Sequence, residues 1–234
     1  IMRFSPQFGW SNVPLRQILE QRTGMLVLIE NNVKAAASAE MLFGKDPELS
    51  DFVIVLLGSG IGAAVVSEGK LFRGVDNIAG EIGHMTINPE GPVCDCGRRG
   101  CLQAYVCASG IRRLAGVPLD DVIALSKAGD ERCQGLLDQA STYLAMGVSN
   151  LVNLYNPRLV LLYGFMLEVW PELLELLREK TPHFLWQVAS EQIRIVPADF
   201  VQDDVSVISA ASIALRDFLL PPVFIRSTAA HLAE

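Results

Sequence analysis

Long apolar runs are missing from this chain of 234 residues: Gly, Ser, Asn or charged residues interrupt each one well short of a membrane span. No basic-then-apolar leader opens it either, so export is not expected and a cytoplasmic setting is. Basic charge is in deficit, with 19 Lys and Arg against 26 Asp and Glu and a net charge of −7. The pairs Arg98-Arg99 and Arg112-Arg113 are too short to reverse that, which argues against the chain itself binding a polyanion, because such affinity rests largely on phosphate neutralisation. Internal repeats and low-complexity linkers are absent as well. What remains is a composition that is 50% hydrophobic, enough to build one large domain or two lobes with sizeable cores. Ile1 is not an initiator residue and Met2 begins no recognisable start signal, which points to a piece of a longer polypeptide.

Cysteine is sparse too, five in all, and its distribution carries the information. Cys94, Cys96 and Cys101 crowd into a loop with Gly91, Pro92, Gly97 and Gly100, and His84 precedes them. One imidazole and three thiolates make a complete tetrahedral set for zinc, and the glycines give the backbone freedom to wrap a small ion. The alternative is a group of buried, reduced cysteines without a metal. Cys107 and Cys133 fall in helical patterns and read as small core residues, as expected in a reducing compartment rather than in a disulfide scaffold.

Periodicity gives a coarse map. Helical spacing runs from Asn12 to Arg22, and Gly24 separates it from the apolar run Met25–Ile29, read as a buried strand. Asn31 is placed to cap a helix from Val33 to Phe43. Phe52–Leu57, Ala63–Ser67 and Lys70–Phe72 read as an antiparallel meander. Helices follow over Ser109–Ala115, Leu119–Ala128 and Glu131–Leu154. Next come a buried strand Leu159–Tyr163, a helix Glu168–Lys180, a strand Ile193–Pro197 and a last helix Val205–Leu219. The alternation predicts an α/β architecture with a β-rich middle.

Three constellations bear on chemistry. Glu30-Asn31-Asn32 sits where a predicted strand ends and a helix begins, a place where α/β proteins bind ligands; carboxamides there can donate to and accept from hydroxyls, or can simply cap the helix. Gly58-Ser59-Gly60-Ile61-Gly62 joins two strands and serves either a phosphate or plain hairpin geometry. Glu81 lies three residues before His84, so a helical turn over residues 79–83 brings carboxylate and imidazole together. A metal-bound imidazole leaves its second nitrogen for a carboxylate or a ligand hydroxyl, and Glu81 reads either as a ligand contact or as the group that orients His84.

In this order, Ser5-Pro6…Gly9-Trp10, Glu30-Asn31-x-x-x-Ala35-Ala36-Ala37…Glu40, the Gly58–Gly62 loop, Gly80-Glu81-Ile82-Gly83-His84 and Cys94-x-Cys96-Gly-x-x-Gly-Cys101-Leu102 resemble the ROK family of sugar kinases and sugar-responsive repressors. The resemblance runs over nearly the whole chain. It implies an actin-like, ribonuclease-H-related fold with an incomplete first lobe over residues 1–30, a larger sugar-binding lobe over 31–204 containing a zinc loop at 84–101, and a C-terminal helix and tail over 205–234 returning toward the first lobe. It also implies zinc on His84, Cys94, Cys96 and Cys101, and a sugar site beside it that draws on Asn31, Asn32, Glu81, His84 and Gln103.

Departures from the family pattern separate its two branches. The kinases' Asp-x-Gly-x-Thr loop has no counterpart here, and their catalytic aspartate is matched by Asn32, whose carboxamide cannot take up a proton. Gly164-Phe165-Met166 stands for the kinases' paired glycines, Ser59 for threonine, Lys34 for asparagine and Gln103 for glutamate. The expectation is therefore a non-catalytic regulator: the effector-binding and dimerisation portion of a sugar-responsive repressor. Its DNA contacts would be made by a winged helix-turn-helix upstream of this chain, and a ROK sugar kinase is the alternative.

Overall fold

The computed structural model describes residues 2–5, 9–186, 193–199 and 205–219. Pro6 and the tail predicted beyond residue 219 lie outside the described residues. The chain opens with a two-stranded antiparallel hairpin, β1 (Met2–Ser5) and β2 (Trp10–Val13), followed by helix α1 (Leu15–Thr23). The predicted helix start at Asn12 is thus corrected: Asn12 and Val13 belong to β2. Val13 precedes Pro14, and a residue before proline is pushed out of the helical region, so the helix starts beyond the proline.

A second correction concerns Met25–Ile29. This run is neither paired in a sheet nor buried; Met25 keeps 65% of its surface exposed and Leu26 61%. Apolar composition supplies a reason to be covered, but a ladder also needs a neighbouring strand, and β1 and β2 pair only with each other. The equally apolar Leu159–Tyr163 lies between two partners and is buried throughout.

Helix α2 (Asn32–Phe43) follows, with Asn31 as its cap, and its small residues Ala36 and Ala37 pack flat on the main sheet. That sheet has five strands: β3 (Phe52–Leu57), β4 (Ile61–Ser67), β5 (Lys70–Phe72), β6 (Leu159–Tyr163) and β7 (Arg194–Pro197), in the order β5-β4-β3-β6-β7. β3, β4 and β5 form the predicted antiparallel meander, while β6 and β7 run parallel to β3 and to each other. Phe52 and Ile54 face α2, whereas Val53, Val55 and Leu57 face the larger core. The period-2 alternation of a sheet covered on both sides produces this division.

The larger core is closed by α3 (Leu102–Val106), α4 (Ala108–Ala115), α5 (Leu119–Lys127) and the 25-residue α6 (Glu131–Tyr155). Cys107 and Cys133 are buried there as expected. The helix predicted from Glu168 is broken into α7 (Met166–Val169) and α8 (Leu173–Lys180), because Trp170 precedes Pro171 and leaves the helical region. The final helix, α9 (Val205–Leu219), packs against α2, where Arg216 donates to the Ser38 hydroxyl at 2.9 Å. No helix among the described residues is long and apolar enough to cross a membrane.

Candidate functional site

Two neighbouring places hold the predicted site residues, and the segment Gly80–His84 joins them. Gly80 occupies the left-handed region at φ +98°, and its carbonyl accepts the Ala63 amide at 2.8 Å. An added Cβ there would lie 1.9 Å from the Ala63 carbonyl oxygen, so only glycine lets this segment pass so close to β4. The expected helical turn over 79–83 is displaced: the helical residues are Ile82–His84, a single 3-10 turn, and Glu81 precedes it. Glu81 faces a cavity on the glycine-loop side, and His84 is turned toward the cysteines.

The first place is the cysteine loop. Its backbone closes on itself through Cys94 N–H to the Arg98 carbonyl at 2.7 Å and Gly100 N–H to the Pro92 carbonyl at 2.9 Å. Gly100, at φ +69°, leaves no room for a side chain: a Cβ would meet the Asn88 carbonyl oxygen at 1.6 Å. The ligand atoms of His84, Cys94, Cys96 and Cys101 all fall within 4.8 Å of one another. Cys94 Sγ is 3.7 Å from His84 Nδ1, and Cys96 Sγ is 3.7 Å from Cys101 Sγ. Metal–sulfur bonds of about 2.3 Å in a tetrahedron imply sulfur–sulfur edges of about 3.8 Å. Donor set and spacing therefore fit a small tetrahedral ion, with Nδ1 toward the ion and Nε2 left over.

Crowding makes the three thiols unequal. Burial opposes charge on Cys96, but hydrogen bonds from the backbone and side chain of Arg98 and from the other two thiols outweigh it and bring its pKa down to about 6. Cys101 is pushed up to about 12, first by burial and then by its neighbours Cys96 and Cys94. A cation among them would offset this mutual repulsion. Arg98 also donates to the His84 carbonyl at 3.0 Å, tying the loop to the turn that carries the imidazole.

The second place is a cavity of about 210 Å³ bounded by Asn31, Asn32 and Val33 on one side, Ala79, Gly80 and Glu81 on another, and Ser59, Gly60, Gly62 and Gln103 on a third. It brings together four of the five predicted ligand-binding residues; His84 does not line it. Asn31 Oδ1 accepts the backbone N–H groups of Val33 and Lys34 at 2.9 and 3.3 Å, so the capping reading holds and its NH₂ is the end left for a ligand. Asn32 Oδ1 accepts from Val33 at 3.0 Å. Gln103 Oε1 accepts weakly from Ile61 N–H at 3.5 Å.

The glycine loop is narrower than its sequence implies, because β4 begins at Ile61 and leaves Gly58–Gly60 as the turn. Gly58 N–H bonds back to the Gly60 carbonyl at 3.1 Å, which withdraws one amide from any phosphate cradle. Phe165 packs over this loop, its ring 3.5 Å from where a Gly58 Cβ would stand, whereas Met166 is buried in the core. Side-chain bonds that the sequence reading missed surround Glu30, which pairs with Arg73, accepts from Asn77 Nδ2 at 3.2 Å and accepts from the Asn31 amide at 3.0 Å. Burial pushes the Glu30 carboxyl up, but Arg73, the Asn31 amide and Asn77 together hold it below its ordinary range.

Comparisons with known proteins identify the family of this fold. The ROK family model matches residues 2–217. A glucokinase of Thermotoga maritima is 34% identical over 91% of this chain and 74% of its own length. Xylose repressors of Caldicellulosiruptor bescii and Bacillus subtilis are 35% and 28% identical over 75% and 92% of the chain; the chain spans about half of each, 49% and 57%. Among solved structures, a ROK hexokinase from Thermus thermophilus superposes with a TM-score of 0.76 at 30% identity, covering 88% of this chain and 72% of that one. A ROK transcriptional regulator superposes at 0.75 and 25% identity, covering 91% of this chain and 57% of that one. The fold, the ordered motifs and the family match over residues 2–217 together establish that the chain belongs to the ROK family.

Proposed function

We propose that this chain is the effector-binding portion of a sugar-responsive transcriptional repressor. The observation that carries the reading is Asn32: a carboxamide lines the cavity where the family's kinases need a proton acceptor, and a positioned base contributes about 10²–10⁴-fold to such a transfer. Phe165 over the glycine loop and the closed Gly58 amide support it, since both work against seating a nucleotide phosphate. A volume of about 210 Å³ lies below the about 300–1,000 Å³ of drug-sized pockets and suits a monosaccharide. Asn31, Asn32, Glu81 and Gln103 offer both donors and acceptors for its hydroxyls.

In this reading zinc on His84, Cys94, Cys96 and Cys101 is structural: it fixes the loop and the His84 imidazole, and with them the turn that carries Glu81 to the cavity. DNA contact falls to a domain outside these residues, in keeping with the net charge of −7. Self-association is part of the proposal as well; the exposed Phe72 and Tyr155, with ring centroids 5.9 Å apart, and the exposed Leu154 offer an apolar surface for it.

A second reading, a sugar kinase, draws on Glu81, the carboxylate among the cavity residues, and on the glucokinase similarity. Calorimetry with D-xylose and D-glucose, alongside a coupled assay with ATP and both sugars, separates the two. The repressor reading expects saturable binding without turnover. It also expects Glu81→Gln to weaken binding about 10–100-fold, as for a lost hydrogen bond to a charged group, with metal content unchanged. ATP-dependent turnover that Glu81→Gln abolishes overturns it in favour of the kinase.

A further inference from the structure

Lys34 is among the most buried side chains of the described residues, 1% exposed, although lysines are almost never fully buried without a partner. It stands on the first turn of α2, between Val33 and the run Ala35–Ala37. Its ammonium reaches across to the loop between β5 and the Glu81 turn, donating to the Asn77 carbonyl at 2.5 Å and to Asn77 Oδ1 at 3.3 Å. Asn77 is held in the left-handed region at φ +60°. Its carboxamide also accepts from Arg73 at 3.0 Å and donates to Glu30 Oε1 at 3.2 Å, and Arg73 and Glu30 form an ion pair. Burial holds the Lys34 ammonium below the ordinary lysine range, the carboxylates of Glu30 and Glu81 favour its charge, and Arg73 opposes it.

The consequence lies in what these four side chains join. Glu30 and Lys34 flank Asn31, Asn32 and Val33, which form one wall of the 210 Å³ cavity. Arg73 and Asn77 belong to the loop that runs into Ala79, Gly80 and Glu81, the opposite wall. Backbone bonds also anchor the loop near its ends, Ala79 N–H to the Arg73 carbonyl at 3.1 Å and Ala63 N–H to the Gly80 carbonyl at 2.8 Å. Nothing in helix packing calls for a buried ammonium here, since a methionine would fill the same length without the desolvation cost of a charge.

We infer that Lys34, through Asn77 and with Glu30 and Arg73, is a latch that sets the separation of the two cavity walls, and is thereby a positioning residue for ligand selectivity. The part concerning selectivity rests on the sugar-binding reading above; the latch itself does not. A sugar that exchanges one hydroxyl orientation for another must find its partners at a fixed distance, because a polar group left unpaired in a closed site is costly. Loosening the walls therefore blurs discrimination more than it abolishes binding.

Hydrogen exchange on the 234-residue chain tests the latch without any ligand. Lys34→Met keeps the side-chain length and the Glu30–Arg73 pair, and Lys34→Asn is too short to reach Asn77. Both should speed amide exchange over residues 74–82 about tenfold, while β3, β6 and α6 exchange as before. Asn77→Gly, which keeps the positive φ and removes the carboxamide, should produce a smaller acceleration in the same segment. Unchanged exchange at 74–82 in both Lys34 variants, or acceleration spread evenly over the whole molecule, overturns the latch. Calorimetric titration then reads selectivity: the ratio of D-xylose to D-glucose Kd should move about fivefold or more toward unity in Lys34→Met. Equal weakening for both sugars contradicts the positioning role. A wild-type chain that binds neither sugar removes the effector reading and with it the selectivity claim, while exchange over 74–82 still decides the latch.

Discussion

The cysteine loop and the Asn32 cavity meet at the Gly80–His84 segment, yet they depart from their family pattern to very different degrees. In the loop all four donors are present, and the structure gathers their ligand atoms within 4.8 Å of one another. At the cavity the residue types have shifted: Asn32 and Gln103 line it where the family pattern has carboxylates, and Lys34, just outside its lining, stands for an asparagine. A tetrahedral set acts as a unit, so it is useful only when all four donors are present. A cavity lined by separate polar groups can change one of them and keep the others. The difference teaches that the two places can diverge even though they share one turn.

The strongest way to break that contrast is to remove one thiolate. Cys101→Ser should lose stoichiometric zinc and lower stability by about 4 kcal/mol, or about 10 °C at the 2–4 °C per kcal/mol expected for this chain length. Elemental analysis and a thermal melt read it; a melt unchanged in demonstrably metal-free protein would remove the structural role of the ion. Next in size is Gly80→Val. The forced contact with the Ala63 carbonyl and the positive φ should cost about 2–3 kcal/mol and weaken sugar binding, while the loop keeps its metal. Loss of metal in this variant would show that the two sites are one mechanical unit.

A smaller effect concerns acid. The folded Glu30 carboxyl lies below its ordinary range, so its contribution to stability is present above the unfolded pKa and is lost as pH falls through the folded value. Glu30→Gln should therefore flatten the decline of melting temperature between about pH 5 and pH 3. An equally steep decline in the variant would assign the acid sensitivity to other carboxylates. The smallest expected change is at Tyr163, whose buried hydroxyl has no hydrogen-bond partner among the described residues and whose pKa is pushed up by burial. Tyr163→Phe should be neutral or stabilising by up to about 1 kcal/mol in denaturant melts, and clear destabilisation would reveal a partner for that hydroxyl.

Much of the fold could be read along the chain. The meander β3–β5, the buried β6, the long α6 and the Asn31 cap all appear where periodicity and capping chemistry place them. The departures have separate causes. Met25–Ile29 and Leu159–Tyr163 carry the same local signal, and only the second has neighbours to pair with. Hydrophobic spacing alone runs a helix through Asn12 and another through Trp170, whereas Pro14 and Pro171, both legible in the sequence, set the observed start of α1 and the break between α7 and α8. In the site, the sequence marks Glu30 only as part of a strand end. Its bonds to Arg73 and Asn77 span more than forty residues, and a lysine within the small-residue stripe of α2 was the one available hint.

The sequence by itself determined the family, the candidate set of metal donors and the carboxamide at position 32, because donor identity and protonation chemistry belong to a side chain wherever it lies. Tertiary structure alone decided that His84 turns to the thiols while Glu81 faces the cavity. It alone decided that Gly58 closes on Gly60, and that Lys34 is buried against a loop 43 residues away. Those are relations of distance and burial, which arise only once the apolar faces of sheet and helices have been brought together.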